Sequence, residues 1–169
     1  ALDPRYTGGS TPMGGAGVFG RFRPVPLVGI DLAVRSASGR YKDDATSDLV
    51  SNFILSTEAS VFLYLARGQV AQFALDAGMG GIYNRVKYEV GERDGIQAWG
   101  SGFVRLGADA EFYVKRLAFV LALRGYGVFT DTHNVQNKGG LFEGRVDAPA
   151  PVTTYQTYIS ITGGLAYRF

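Results

Sequence analysis

Cysteine is absent from this 169-residue chain, which excludes a disulfide framework and any thiolate metal site. Histidine occurs once, at His133. Lysine is scarce, with four residues against thirteen arginines. No apolar run reaches the roughly 18 residues of a membrane-crossing helix. The longest uncharged stretch, Ala148 to Tyr167, is interrupted by Pro149, Pro151 and many Thr, Ser, Gln and Gly. The polar stretches Arg40 to Asp48 and Arg85 to Asp94 mix both signs, so no nucleic-acid-binding patch is expected. The opening Ala-Leu-Asp-Pro-Arg-Tyr lacks the basic start and apolar core of a signal peptide. That leaves a cytoplasmic protein, a mature exported one or a fragment.

The composition is 46% hydrophobic and 13% aromatic with a net charge of +2, which excludes intrinsic disorder. The mean hydropathy of +0.03 by itself describes an ordinary soluble domain. A whole-chain average, however, cannot register alternation. Helical periodicity is poor and is broken by 24 glycines, whereas a period of two is strong. Between Val25 and Ala37, Val28, Ile30, Leu32 and Val34 oppose Gly29, Asp31, Ala33 and Arg35. Between Phe53 and Ala66, Phe53, Leu55, Ala59, Val61, Leu63 and Leu65 oppose Ser56, Glu58, Ser60, Phe62 and Tyr64. Similar segments run from Val70 to Tyr83, Trp99 to Val114, Leu117 to Thr130 and Tyr155 to Phe169, with a weaker one at Gly14 to Phe22. Seven amphipathic strands are therefore predicted, joined alternately by tight turns and long polar loops. The turns are Arg23-Pro24, Arg67-Gly68-Gln69 and Lys115-Arg116; the loops span 38–52, 84–98 and 131–152.

The polar face identifies the inside. It carries small residues with five bases (Arg21, Arg35, Arg105, Arg124, Arg168) and five acids (Asp31, Glu58, Asp76, Asp109, Glu111), and all four lysines lie in turns, loops or strand ends. Arginine suits enclosed, multiply bonded pairing, and a balanced set avoids the several kcal/mol cost of an unpaired buried charge. The apolar face is then the outer, lipid-directed one. Its aromatics fall in two groups, Phe22, Phe73, Phe112 and Phe119 toward the short turns and Phe53, Tyr83, Phe129 and Tyr155 toward the long loops, as in the girdles of membrane barrels. The competing architecture is a soluble barrel with the apolar face inward.

The chain closes on Leu165, Tyr167 and Phe169 at alternate positions. This ending resembles the C-terminal strand of bacterial outer-membrane β-barrel proteins, which terminates in an aromatic residue. The resemblance spans residues 14–169 and points to the small eight-stranded class, similar in architecture to the OmpA transmembrane domain, OmpX and OmpW. It implies an all-β, antiparallel up-and-down transmembrane barrel in the bacterial outer membrane. The long loops would lie outside and the short turns in the periplasm, with outer-membrane lipid and the barrel-assembly machinery as partners. Leu165, Tyr167 and Phe169 would be the assembly signal. Seven strands are one short of the even number such barrels need. Residues 1–13 are accordingly expected to be an outer loop or the ragged end of a missing first strand.

No motif for catalysis or cofactor binding emerges. His133 lies in the longest loop without a Ser and acid at a useful spacing, and the Gly-Gly pairs precede no helix. Three functional classes remain. The favoured one is a structural or anchoring barrel, without catalytic residues or cofactor, whose lumen is filled by charged side chains and whose outer loops or wall bind protein partners. The alternatives are a narrow, porin-like passive channel and a lipid-modifying enzyme.

Overall fold

The computed structural model describes residues 13–42, 49–90, 93–131 and 155–167. Among these, the chain forms seven strands and no helix. They are β1 (Gly14–Val25), β2 (Val28–Lys42), β3 (Leu49–Arg67), β4 (Ala71–Val90), β5 (Arg93–Val114), β6 (Leu117–Phe129) and β7 (Tyr155–Tyr167). Every strand is antiparallel to its sequence neighbour, in the spatial order β1 to β7. The sheet is curled into a half-barrel. Neighbouring strands lie about 4.8 Å apart, so β1 and β5 would be nearly 20 Å apart in a flat sheet. Instead Arg21 of β1 reaches Asp109 of β5 at 3.0 Å.

The expected strands are present, and four of the connections between them differ. The first turn is Pro26-Leu27 rather than Arg23-Pro24. Pro24 instead occupies a β-bulge, where Phe22 pairs with Ile30 and Val25 with Val28, leaving two residues opposite one. A residue without an N–H is tolerated at such a bulge, where ladder pairing is interrupted. The second turn also takes in Val70, closed by Gly68 N–H donating to Ala71 O at 2.8 Å. The largest difference concerns the long loops. Much of 38–52 and 84–98 is strand: Lys42 pairs with Leu49, and Val90 with Arg93. In 84–90 the alternation continues with its sense inverted, polar Arg85, Lys87 and Glu89 on the outward parity and Val86, Tyr88 and Val90 on the inward one, which conceals the extension from an apolar-outward pattern without weakening the backbone ladder that forms it. The two-residue turn at Lys115-Arg116 is as predicted, with Lys115 at φ 58°. Residues 1–12 and 132–154 lie outside the described residues, and so does nearly all of the 131–152 loop.

Strands β1 and β7 are the two edges of the sheet and are not paired with each other. Their interior surfaces nonetheless approach: a Cβ on Gly164 of β7 would lie 3.9 Å from the Phe19 ring of β1.

Candidate functional site

The two faces of the sheet have opposite character, and the polar one is enclosed. Asp31, Glu58, Asp76, Arg105, Asp109, Glu111 and Arg124 are all buried, whereas Leu106, between Arg105 and Gly107 on the same strand, is 71% exposed. An apolar interior with a charged exterior is thus the reverse of what the chain adopts.

Nine of the ten predicted interior charges converge; Arg168 lies outside the described residues. Together with Arg23 they form one continuous ladder of alternating sign. Arg23 pairs with Glu111 at 2.6 Å. Glu111 also binds Arg21, which pairs with Asp31 and Asp109 at 3.0 Å each. Asp109 meets Arg124 at 3.1 Å, and Arg124 approaches Asp76 at 4.0 Å. Asp76 pairs with Arg105 at 2.6 Å, Arg105 with Glu58 at 3.4 Å, and Glu58 with Arg35 at 2.7 Å. Five cations and five anions result, so the ladder balances among the described residues.

Two local devices accommodate these side chains. The first is a glycine directly opposite three of the arginines: Gly17 opposite Arg35, Gly78 opposite Arg105 and Gly107 opposite Arg124. A Cβ on Gly107 would sit 2.6 Å from Asp76 Oδ2 and 2.9 Å from Arg124 Cγ. A Cβ on Gly17 would sit 2.7 Å from Arg35 Cγ. The second is an aromatic shelf. The guanidinium of Arg21 lies 3.6 Å from the Phe62 ring centre and that of Arg23 lies 3.8 Å from the Tyr64 ring centre, both in cation–π range. Tyr64 and Tyr113 also donate hydrogen bonds to Glu111, and Arg105 donates to Ser60 Oγ at 2.6 Å.

Arg23 was missed by the sequence reasoning because Pro24 made its position look like a turn. The strand parity already places Phe62 and Tyr64 on the inner face. Nothing in the sequence alone reveals that they lie under arginines supplied by another strand. Toward the end opposite the short turns, the ionic ladder gives way to an apolar cluster of Ile82, Phe103, Tyr126 and Val128, packed against Ile54. Tyr126 stacks on Tyr158 with ring centres 4.3 Å apart.

The outer face is equally ordered. Phe22, Phe53, Phe73, Tyr83, Phe112, Phe119, Phe129 and Tyr155 are all exposed there, as are Leu165 and Tyr167; Phe169 lies outside the described residues. Their rows climb across the sheet. Phe112 pairs with Phe119, whereas the row through Phe22 (Ile30, Val61, Ala77) meets β5 at Leu106, six positions higher over four strand steps. Phe129 pairs with Gly102, whereas the row through Phe53 and Arg85 meets β5 at Ala98, four positions higher over three steps. Phe73 pairs with Ala110 and Tyr83 with Gly100, on the same two slopes.

Both belts therefore rise in one direction by about 1.4 residues per strand. With a rise of about 3.3 Å per residue and a strand spacing of about 4.8 Å, they become level when the strands tilt by roughly 45°. On β6 the belts are separated by the ten positions from Phe119 to Phe129, and on β4 by the ten from Phe73 to Tyr83. At that tilt the separation is about 23 Å. Between the belts, the outward positions of the described strands carry no charged residue.

Comparison with protein families, curated proteins and solved structures finds no match for this chain. His133 lies outside the described residues.

Proposed function

We propose that this chain is the wall of a bacterial outer-membrane β-barrel that serves as a structural or anchoring element, with its interior filled by ion pairs. The observation that carries this is the pair of parallel aromatic belts on an exposed, uncharged, apolar face. Their separation of about 23 Å at a tilt near 45° corresponds to the apolar band and strand tilt of outer-membrane barrels, roughly 25 Å and 35–45°. In water, the same face would exceed by far the few hundred Å² of contiguous apolar surface that soluble monomers tolerate. In lipid it is the favourable surface.

The interior supports a structural role over a channel. The ladder from Arg23 to Arg35 spans the half-barrel, and the Ile82–Phe103–Tyr126–Val128 cluster occupies the space beyond it. An eight-stranded wall encloses an interior only wide enough for side chains to fill.

The free edges need a partner in this setting, since unpaired backbone groups cost several kcal/mol each in hydrocarbon. An odd number of antiparallel strands leaves β1 and β7 running in the same direction. One strand antiparallel to both completes the alternation and closes the wall at eight.

The test is fractionation followed by electrophoresis with and without boiling. Recovery in outer membranes, with a mobility shift on boiling, is the expected result. A chain that stays monomeric in detergent-free buffer overturns the proposal.

A further inference from the structure

We infer a binding site for one neutral sugar ring at the long-loop end of the interior, formed by Asn52, Asn84, Ser101, Thr130 and Gln156. Strands β3, β4, β5 and β7 supply one residue each, and Thr130 directly follows β6. Each is the chain neighbour of a position on the aromatic belt at that end. Asn52 adjoins Phe53, Asn84 adjoins Tyr83, Thr130 adjoins Phe129 and Gln156 adjoins Tyr155, while Ser101 adjoins Gly102, the register partner of Phe129. Successive strand residues point to opposite faces, so the five form an inner ring at the height of the belt.

The ring is uncharged and has an apolar floor. Two positions lower on the same strands lie Ile54, Ile82, Phe103 and Val128, the cluster described above, and Tyr158, which stacks on Tyr126. Arg35, at the upper end of the ionic ladder, is engaged by Glu58 at 2.7 Å and donates to Tyr126 Oη at 3.2 Å. Within the ring, Ser101 Oγ lies 2.7 Å from Thr130 Oγ1, and Asn84 Nδ2 donates to Ser101 Oγ at 3.4 Å. Asn52 Oδ1 is buried and accepts no hydrogen bond from any described residue. Buried acceptors are normally bonded, and a ligand hydroxyl satisfies this one. Trp99, half-buried, lies two positions above Ser101 on the same face and is the register partner of Asn84.

These residue types define the ligand. Amides and hydroxyls both donate and accept, which matches adjacent hydroxyl groups. An indole offers an apolar face to one side of a sugar ring and a polar edge to its rim. Without a charge in the ring, an ionic ligand would lose hydration and gain no counter-ion. Gly39, opposite Asn52, adds no side chain. An eight-stranded interior that side chains leave unfilled holds one small ligand. The floor closes the site from below, so the ligand enters and leaves by the long-loop end; that this end faces the exterior rests on the membrane reading above.

Trp99 is the only tryptophan, so its emission reports on the site directly. The full chain is folded in lauryldimethylamine oxide micelles, which carry no sugar, and titrated with D-glucose, D-galactose and N-acetyl-D-glucosamine. A saturable emission change is expected with at least one of them, and D-glucuronate should bind at least about tenfold more weakly. N52A and N84A should each weaken binding about five- to tenfold, whereas S160A, lower on β7, keeps the wild-type affinity. The mobility shift on boiling verifies that each variant is folded. No saturable response to any of the three sugars overturns the proposal. Equal binding of glucuronate overturns it as well, as does wild-type affinity in both N52A and N84A. The same titration from a detergent-free monomer supports the site and overturns the membrane reading alone.

Discussion

Arg105 of β5 and Asp76 of β4 form an ion pair at 2.6 Å in which neither side chain has any solvent exposure. Each has a second partner, since Arg105 also faces Glu58 at 3.4 Å and Asp76 lies 4.0 Å from Arg124. Desolvating two charges is costly, and removing one partner strands the other. Asp76→Ala and Arg105→Ala are each predicted to destabilise the fold by about 3–5 kcal/mol. The double variant D76L/R105M should lose far less than the two single losses combined, because no orphan charge remains. Urea titration of refolded protein in detergent micelles, followed by the mobility shift on boiling, measures all three.

The glycines opposite the arginines are predicted to be as sensitive as the arginines themselves. Gly107→Val places a branched side chain against Asp76 Oδ2 and the Leu123 carbonyl, both already within 3 Å of a Cβ. Gly78→Val meets the Ala59 carbonyl at 2.7 Å. A loss of about 1–3 kcal/mol is expected from overpacking, more where the arginine is displaced from its partner. Gly100→Ala and Gly163→Ala, where a Cβ meets nothing within 4 Å, serve as controls and should be close to neutral.

How much of this was legible in the sequence depends on how local the signal is. Alternation is local, so Leu121, Arg124 and Asp109 could be assigned to their faces from neighbours two residues away. Partner choice is not local. Arg21 is within reach of Asp109 and Glu111 only because the sheet curls β1 toward β5, and no pattern in the sequence encodes that distance. Arg23 was hidden by Pro24, whose usual place is a turn and whose place here is a bulge. The upper end of β4 was hidden because its alternation inverts: Arg85, Lys87 and Glu89 take the outward parity and Val86, Tyr88 and Val90 the inward one, so it does not continue the apolar-outward pattern below it. The two aromatic groups could be sorted by strand end, but their common slope required the register.

That slope makes an outer-wall arginine scan informative about depth. Leu123→Arg lies midway between the belts and is predicted to cost about 2–4 kcal/mol, and Val61→Arg, about three positions above the short-turn belt, a value between that and the interfacial cost. Leu117→Arg lies below Phe119 at the short-turn end and should cost about 0–1 kcal/mol. All three leucine and valine side chains are similarly exposed, between 48% and 55%, so burial within the protein cannot produce the contrast. Equal tolerance at the three sites would mean that the face sees water.

The most direct measurement places a fluorophore at known heights on the wall. After Trp99→Phe, a single tryptophan is introduced at Leu123, Phe119 or Phe129, and the protein is reconstituted in lipids brominated at successive acyl depths. Leu123→Trp should be quenched most by bromine near the bilayer centre. Phe119→Trp and Phe129→Trp should both be quenched most near the headgroups, at opposite surfaces about 23 Å apart for strands tilted near 45°. Quenching that is absent at all three positions, or strongest at the belts for centrally placed bromine, would contradict a lipid-facing wall.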